Sequence, residues 1–396
     1  MKNQPAAIVI GANIGALSII RSLGRRSIQT ILLTTDNSDY AAKSRYCRTV
    51  QCENFTENTI LKKLQEIASS LDKKGVLFCT KDSTVLTVTE HRAELEELYH
   101  FVLPSFDVTT RLMSKQKFHE FATANGFAVP QTFFISGEED IAKVGQSISY
   151  PCVIKPEFRD DKWVNQVSKL HKVLFAKNRE EYQKYFYDYH LGEYQLIVQE
   201  WIEGSDADVF FCLTYLNRKQ EPLAVFTGQK IRQFPLLTGS TALAVSRKVP
   251  FLAEESIRLL QTAGCVGPCS VEFKFSKKSN SYLITEPTVG RVDTQEGSSI
   301  SSGMDIPFLA YSDALELNPE PVKSFQEGIS WINESEDYSS VRNYRKNGQL
   351  SLKELIASYK GKRAYALKAM DDPMPFITFL RNLLKRLFRK FSYSQN

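Results

Sequence analysis

Apolar positions follow two periods along the chain, and the places where one gives way to the other mark its organisation. Residues 6–10 form a short apolar run, followed by Gly11-Ala-Asn-Ile-Gly15 and then by helically spaced apolar positions over 16–23. Residues 29–34 form a second run that ends before Asp36. Ile60, Leu61, Leu64, Ile67 and Ala68 recur at helical spacing, and 76–79 is again continuously apolar. Short unbroken runs bounded by turns read as buried strands, and the 3.6-residue runs between them as helices. This βαβ rhythm predicts a small parallel sheet with helices on its faces.

From Arg111 the pattern changes. Residues 117–125 read as a helix closed by Gly126 as C-cap. Strands are expected at 132–135, 152–155, 173–176, 196–202, 209–216 and 223–231, and a helix at 254–263. Two further strands, 270–275 and 282–286, flank the polar turn Ser276-Lys-Lys-Ser-Asn-Ser281. The result is an α+β body with no internal repeat. Beyond Pro319 and Pro321 the chain turns polar until about residue 372, which predicts a loop-rich, loosely attached extension.

Composition narrows the classes. Hydrophobic residues make up 42% and charged residues 24%, which excludes a collagenous or wholly disordered chain. No apolar run approaches the length of a membrane-spanning helix. Gly11, Asn13 and Gly15 interrupt the N-terminal apolar stretch, so no signal peptide is expected and the protein is expected in the cytoplasm. The 7 cysteines form no CxxC pair, and His91, His100, His119, His171 and His190 are dispersed. Neither a zinc finger nor a Ser-His-Asp or Cys-His hydrolase has a foothold. Small buried thiols in a reducing compartment are the simpler expectation.

Charge placement says more than the net +5. Arg381, Lys385, Arg386, Arg389 and Lys390 equal the whole excess, and no acidic residue follows Phe376. The neutral remainder argues against nonspecific nucleic-acid binding. Over 376–391, Phe376, Ile377, Leu380, Leu383, Leu384, Leu387 and Phe391 fall on one helical face, with the basic residues largely opposite. Such a helix lies on an anionic membrane surface or packs its apolar face back on protein. Pro373 and Pro375 separate it from the body, which favours the membrane.

Candidate chemistry centres on the last hairpin. A turn centred on Ser279 places Glu272 opposite Glu286, where β-carbons are about 4.5–5.5 Å apart and like charges repel. A divalent cation between them reverses the penalty, and oxygen ligands on a hard ion suggest Mg²⁺. Two glutamates on a solvated face, each near a lysine, fit the spacing equally. Lys155 ends the strand of Tyr150-Pro-Cys-Val-Ile-Lys155-Pro, and Lys230, followed by Arg232, lies near the end of another. Lysines beside a carboxylate pair suit a triphosphate bridged to metal. The loop between Gly11 and Gly15 lacks the full GxGxxG fingerprint and is a weak dinucleotide signal.

The order of these motifs resembles the ATP-grasp superfamily, and within it carboxylate–amine ligases similar to D-aspartate ligase. The resemblance rests on Ser114-Lys115 before a helix ending Gly126-Phe-Ala-Val-Pro130, on the Lys155 strand, and on Gln199-Glu-Trp-Ile-Glu-Gly204. Thr227-Gly-Gln-Lys230-Ile-Arg232-Gln-Phe-Pro235, Val271-Glu272-Phe-Lys and Glu286-Pro-Thr-Val-Gly-Arg291 complete it. It implies an α/β and α+β fold: a Rossmann-like N-terminal domain at 1–110, then a two-lobed ATP-grasp domain with lobes at 111–195 and 196–318. An extension at 319–375 and a C-terminal amphipathic helical tail at 376–391 follow. The resemblance further implies ATP and Mg²⁺ as cofactors. Lys115, Lys155 and Lys230 would meet ATP phosphates, Gln199, Glu200, Trp201 and Ile202 would hold adenine, and Asp206 (or Asp208) the ribose hydroxyls. Glu272 and Glu286 would be metal ligands, with Thr288 standing where an Asn is usual. Arg291 would hold a substrate carboxylate or acyl phosphate, unless it forms a salt bridge to an aspartate such as Asp293. Arg232 carries a similar but thinner case. The flap expected over the phosphates, 157–172, contains no glycine, leaving Lys169 or Lys172 to take part of its role.

The implied activity is ATP-dependent joining of a carboxylate to an amine, with a lipid-linked or peptidoglycan precursor as a fitting substrate for a membrane-proximal enzyme. A small-molecule ligase or carboxylase without an envelope role is the second reading. A nucleotide-binding regulatory module without turnover is the third, favoured by Thr288 and the glycine-free flap.

Overall fold

The computed structural model describes residues 4–156, 174–191, 194–291 and 293–393, with side chains as far as residue 385. The chain divides into two compact units. The first comprises Met1–Met113, Ser205–Glu272 and Pro287–Asn396; the second comprises Ser114–Gly204 and Phe273–Glu286.

The first unit opens with a parallel sheet of β1 (Ala7–Ile10), β2 (Thr30–Thr34), β3 (Cys47–Gln51), β4 (Gly75–Cys79) and β5 (Tyr99–His100), in the order β3-β2-β1-β4-β5. Every residue of β1, β2 and β4 is buried. A sheet covered on both faces requires unbroken apolar strands, which is why these runs do not alternate. Gly11 turns the chain with φ +99°, and a Cβ there would approach Thr80 Oγ1 to 2.7 Å. Asn13 then caps the helix Ile14–Gly24: its side chain accepts from Ala16 N at 2.8 Å and donates to Thr80 O at 2.9 Å. The side-chain amide of Asn13 thus satisfies one of the free donors at this helix N-terminus.

The second unit holds β6 (Thr132–Ile135), β7 (Cys152–Pro156), β8 (Leu174–Ala176) and β9 (Leu196–Glu200), an antiparallel sheet in the order β6-β9-β7-β8. The helices Glu138–Ser147 and Arg179–Asp188 contribute Val144, Tyr182 and Phe186 to a core with Ile154 and Val198. Because β9 lies between β6 and β7, the stretch 196–204 belongs here, and the expected division at 195/196 moves to Gly204.

A seven-stranded sheet runs β14-β13-β10-β11-β12-β15-β16, built from β10 (Val209–Leu216), β11 (Pro222–Phe234), β12 (Ser240–Ser246), β13 (Gly267–Ser276), β14 (Ser281–Val289), β15 (Ser330–Ile332) and β16 (Arg363–Tyr365). Within the first unit, Phe211, Leu213 and Tyr215 of β10 share one core with Val9, Ile20, Tyr311 and Leu367. The expectation of a loose, loop-rich extension at 319–375 does not hold. That stretch supplies two strands and the helices Glu334–Lys346 and Leu352–Ser358, and it buries Trp331 and Leu367.

The tail is likewise held. Asp372 is fully buried and receives Arg21 Nε at 2.9 Å, Ser44 Oγ at 2.8 Å and Arg45 N at 2.9 Å, immediately before Pro373. The helix Met374–Tyr393 follows. Phe376 and Phe379 pack against the core of the first unit, Phe379 edge-on to Tyr40, while Leu380 and Leu384 are exposed. The prolines do not detach the helix, because the aspartate ahead of them is clamped. No described helix is long and apolar enough to cross a membrane.

Candidate active site

In the first unit, β11 delivers a cluster of buried polar side chains. Its register against β12 shifts between Lys230 and Arg232 and again between Arg232 and Gln233. A bulge of this kind breaks strict alternation and re-aims side chains, so Lys230, Arg232 and Gln233 are all buried. Lys230 Nζ donates to the Glu272 carboxylate and to Gln233 Oε1 at 3.1 Å. Burial works against its charge, yet the carboxylates of Glu272, Asp293 and Asp206 outweigh it and hold the lysine pKa above its ordinary value. The ammonium therefore stays charged at any physiological pH. Gln233 extends the chain of contacts, donating from Nε2 to Asp206 at 3.0 Å.

Asp206 is 1% exposed and accepts from Gln233 N at 2.8 Å, Leu237 N at 2.9 Å and the Tyr344 hydroxyl. Arg232 is equally enclosed. Its guanidinium forms a forked pair with Asp337, at 2.8 and 3.1 Å, donates to Ser358 Oγ at 2.7 Å and lies over the Tyr359 ring. Arg291 follows Gly290, whose φ of +73° turns the chain, and pairs with Asp82 at 2.7 Å. Asp293 instead accepts from Thr294 N at 2.7 Å.

In the second unit, Lys155 lies on β7 and donates to Gln199 Oε1 at 3.2 Å, while Gln199 Nε2 donates to Thr132 Oγ1 at 2.9 Å. Glu200 N and Trp201 N donate to the carbonyls of Gln131 (2.9 Å) and Pro151 (2.8 Å). The Trp201 ring stands edge-on to Phe175 at 5.6 Å, leaving the half-buried Ile202 where the chain departs from β9. Lys115 is the exposed first residue of the helix Lys115–Ala124. A cation there opposes the helix dipole, so helix stability does not account for it. Glu286 is exposed on β14, and Thr288 is half-buried two residues on. Strands β13 and β14, which carry Glu272 and Glu286, are neighbours in the seven-stranded sheet.

No family model matches the sequence. The chain is 22% identical over 271 residues to a D-aspartate ligase from Enterococcus faecium (strain Aus0004). The aligned stretch covers 63% of this chain and 63% of that protein, less than two thirds of the relative's length. Among solved structures, an N5-carboxyaminoimidazole ribonucleotide synthetase in complex with ADP superposes with a TM-score of 0.65 at 12% identity, over 87% of this chain and 86% of its own. The biotin carboxylase domain of a Hydrogenobacter thermophilus 2-oxoglutarate carboxylase, in complex with MgADP and bicarbonate, gives 0.60 at 13%, over 84% and 73%. The chain has the ATP-grasp fold.

Two residues expected to serve the ATP-grasp site have other work in this structure. The Arg232 guanidinium binds Asp337 and Ser358 inside the first unit. Asp206 anchors the turn after β11, where backbone and side-chain donors surround its carboxylate. Asp208 is also engaged, accepting from Ser205 N at 2.7 Å. Arg291, expected to hold a substrate carboxylate or acyl phosphate with a salt bridge as the alternative, pairs with Asp82. The flap at 157–172, with Lys169 and Lys172, lies outside the described residues. Sequence reasoning missed Gln233 and Thr132, which orient Lys230 and Gln199. Neither carries a signal of its own, although Gln233 lies within the Lys230 motif.

Proposed function

We propose that the protein is an ATP-dependent ligase that activates a carboxylate as an acyl phosphate and joins it to an amine. The observation that carries this reading is Lys230: a fully buried lysine kept charged against Glu272, in a chain with the ATP-grasp fold. Burying an ammonium is costly unless charge is matched, and a ligand with developing negative charge gives the group a use. Lys230, Lys155 and Lys115 are proposed to hold ATP phosphates. Phe175, Trp201 and Ile202 are proposed to form the apolar side of the adenine site. The amides of Glu200 and Trp201 already serve the protein.

Glu272 and Glu286 are the proposed Mg²⁺ ligands, with Thr288 or water beside them. The set fits a hard cation: both donors are carboxylate oxygens, Glu286 is exposed, Glu272 is only half-buried, and Glu272 already faces a cation in Lys230. When bound, the ion would neutralise charge on the transferring phosphoryl group. In the reaction, a carboxylate oxygen attacks the γ-phosphorus as the bond to ADP breaks. The amine nitrogen then attacks the acyl carbon, phosphate leaves with the C–O bonding pair, and the nitrogen gives up a proton. Lysines positioned in advance supply electrostatic stabilisation, and no nucleophilic side chain is required.

The test is ADP release from ATP and Mg²⁺ with a panel of D- and L-amino acids. Release that requires both an acid and an amine is the expected result. Bicarbonate-dependent release would point to a carboxylase, and nucleotide binding without any release to a regulatory module.

A cytoplasmic enzyme adding an amino acid to a lipid-linked or peptidoglycan precursor is the finer reading, supported by the tail. Leu380 and Leu384 are exposed on a helix whose other face carries Arg381 and Lys385, an arrangement suited to the surface of an anionic membrane. The full chain is expected to cosediment with phosphatidylglycerol vesicles, less so as salt rises. Equal cosedimentation by Leu380→Ser/Leu384→Ser would remove the helix from that role.

A further inference from the structure

The helix Glu334–Lys346 docks through polar side chains. A surface helix ordinarily buries an apolar stripe, yet the residues buried here are Asp337 and Ser340. With Tyr344 they stand at i, i+3 and i+7, which places all three on one face. That face grips two residues of β11 and Asp206. Asp337 takes the Arg232 guanidinium, Ser340 Oγ donates to Gln233 O at 2.8 Å, and the Tyr344 hydroxyl donates to Asp206. A polar stripe stabilises less than an apolar one of the same size. What a satisfied polar network supplies is a fixed arrangement of its members.

The arrangement leads to Lys230. Asp206 accepts from Gln233 Nε2 at 3.0 Å, and the amides of Gln233 and Leu237 hold the same carboxylate at 2.8 and 2.9 Å. A carboxylate only accepts, so the Gln233 amide turns its NH2 toward Asp206 and its oxygen toward the lysine. Lys230 Nζ donates to that oxygen at 3.1 Å and to Glu272. Lys230 and Gln233 are 3% exposed and Asp206 1%, so solvent offers little replacement for a lost partner. Every link lies within the first unit.

We infer that Tyr344 is a positioning residue for Lys230, acting through Asp206 and Gln233, so that the 319–375 extension sets where the ammonium stands. This deepens the ligase reading and rests on it for what Lys230 touches, the phosphates of ATP. Without the Tyr344 hydroxyl the Asp206 carboxylate is free to rotate. The Gln233 amide follows it, and the ammonium loses the Gln233 oxygen.

The test compares ATP and adenosine binding to the full chain, by displacement of trinitrophenyl-ATP, in Tyr344→Phe, Gln233→Met and the two combined. Gln233→Met should weaken ATP binding about tenfold to a hundredfold, the worth of one hydrogen bond to a charged group. Tyr344→Phe should weaken it about threefold to tenfold, because only part of the loss reaches the lysine. Adenosine, with no phosphate for Lys230, should bind all variants as it binds wild type. The double variant should bind ATP no more weakly than Gln233→Met, since the two residues act in series. Tyr359→Phe deletes a comparable hydroxyl from Asp337. It should lower the Tm about as Tyr344→Phe does and leave ATP binding at the wild-type value. The inference is overturned by wild-type ATP affinity in Tyr344→Phe, by an equal loss in Tyr359→Phe or for adenosine, or by additive losses in the double variant. Should Gln233→Met fail to fold, the comparison of Tyr344→Phe with Tyr359→Phe still decides. The expected ATP losses without any ADP release would remove the ligase reading and leave the positioning. ADP release with unchanged ATP affinity in Tyr344→Phe would do the reverse.

Discussion

Replacing Arg232 by leucine is expected to lower the unfolding free energy by about 3–5 kcal/mol, the usual cost of breaking a buried ion pair from one side. The cost comes from what remains. Arg232 and Asp337 are both almost wholly buried, and the guanidinium meets the carboxylate through two parallel hydrogen bonds while also donating to Ser358. Leucine fills part of the space and leaves the buried Asp337 charge with the Tyr359 hydroxyl as its remaining side-chain partner among the described residues. The measurement is urea unfolding, where the midpoint should fall with little change in slope. Removing both charges, as Arg232→Leu/Asp337→Leu, should recover much of the loss, because the pair's strength is offset by the desolvation of its partners. Below its unfolding transition the single variant should retain turnover within a few-fold. A variant of wild-type stability that has lost turnover would return this arginine to the chemistry.

Arg232 also illustrates which features the sequence carries and which it does not. Strands β1, β2 and β4 were legible because sheets covered on both faces demand unbroken apolar runs. The hairpin of β13 and β14 was legible from two apolar runs around a polar turn, with observed limits at Ser276 and Ser281. The partners of buried charges were not. Arg232 meets a residue 105 positions away, Arg291 one 209 away and Arg21 one 351 away. Pairing at such range leaves no local pattern, so a buried structural arginine and a catalytic one look alike in sequence. The 319–375 stretch misled for a different reason. Its strands are three residues each, too short for any period to register, and the helix Glu334–Lys346 buries only a narrow stripe that includes Asp337 and Ser340. Asp206 lay in the expected place, but whether it faced a ligand or the loop after β11 depended on a fold that only the structure supplies.

Glu286→Gln is expected to reduce kcat for amine-dependent ADP release by about 10²–10³, the scale seen when one stabilising electrostatic contact is removed from a transition state. The side chain is exposed on β14, so the isosteric amide should leave the thermal unfolding curve unchanged, unlike a substitution at Arg232. Glutamine keeps one oxygen and the same reach but loses the negative charge, and the charge is what a hard cation requires. Two further outcomes separate metal binding from a generic effect. Raising the Mg²⁺ concentration should restore part of the activity, since weakened ligation is opposed by mass action, and the KM for the amine should hold steady. Glu272→Gln should behave differently. Its carboxylate also matches the buried ammonium of Lys230, so the substitution removes a charge partner inside the first unit, and stability should fall together with turnover. Full activity in Glu286→Gln at limiting Mg²⁺ would refute the proposed metal pair, because one remaining carboxylate and the Thr288 hydroxyl are a poor substitute for two.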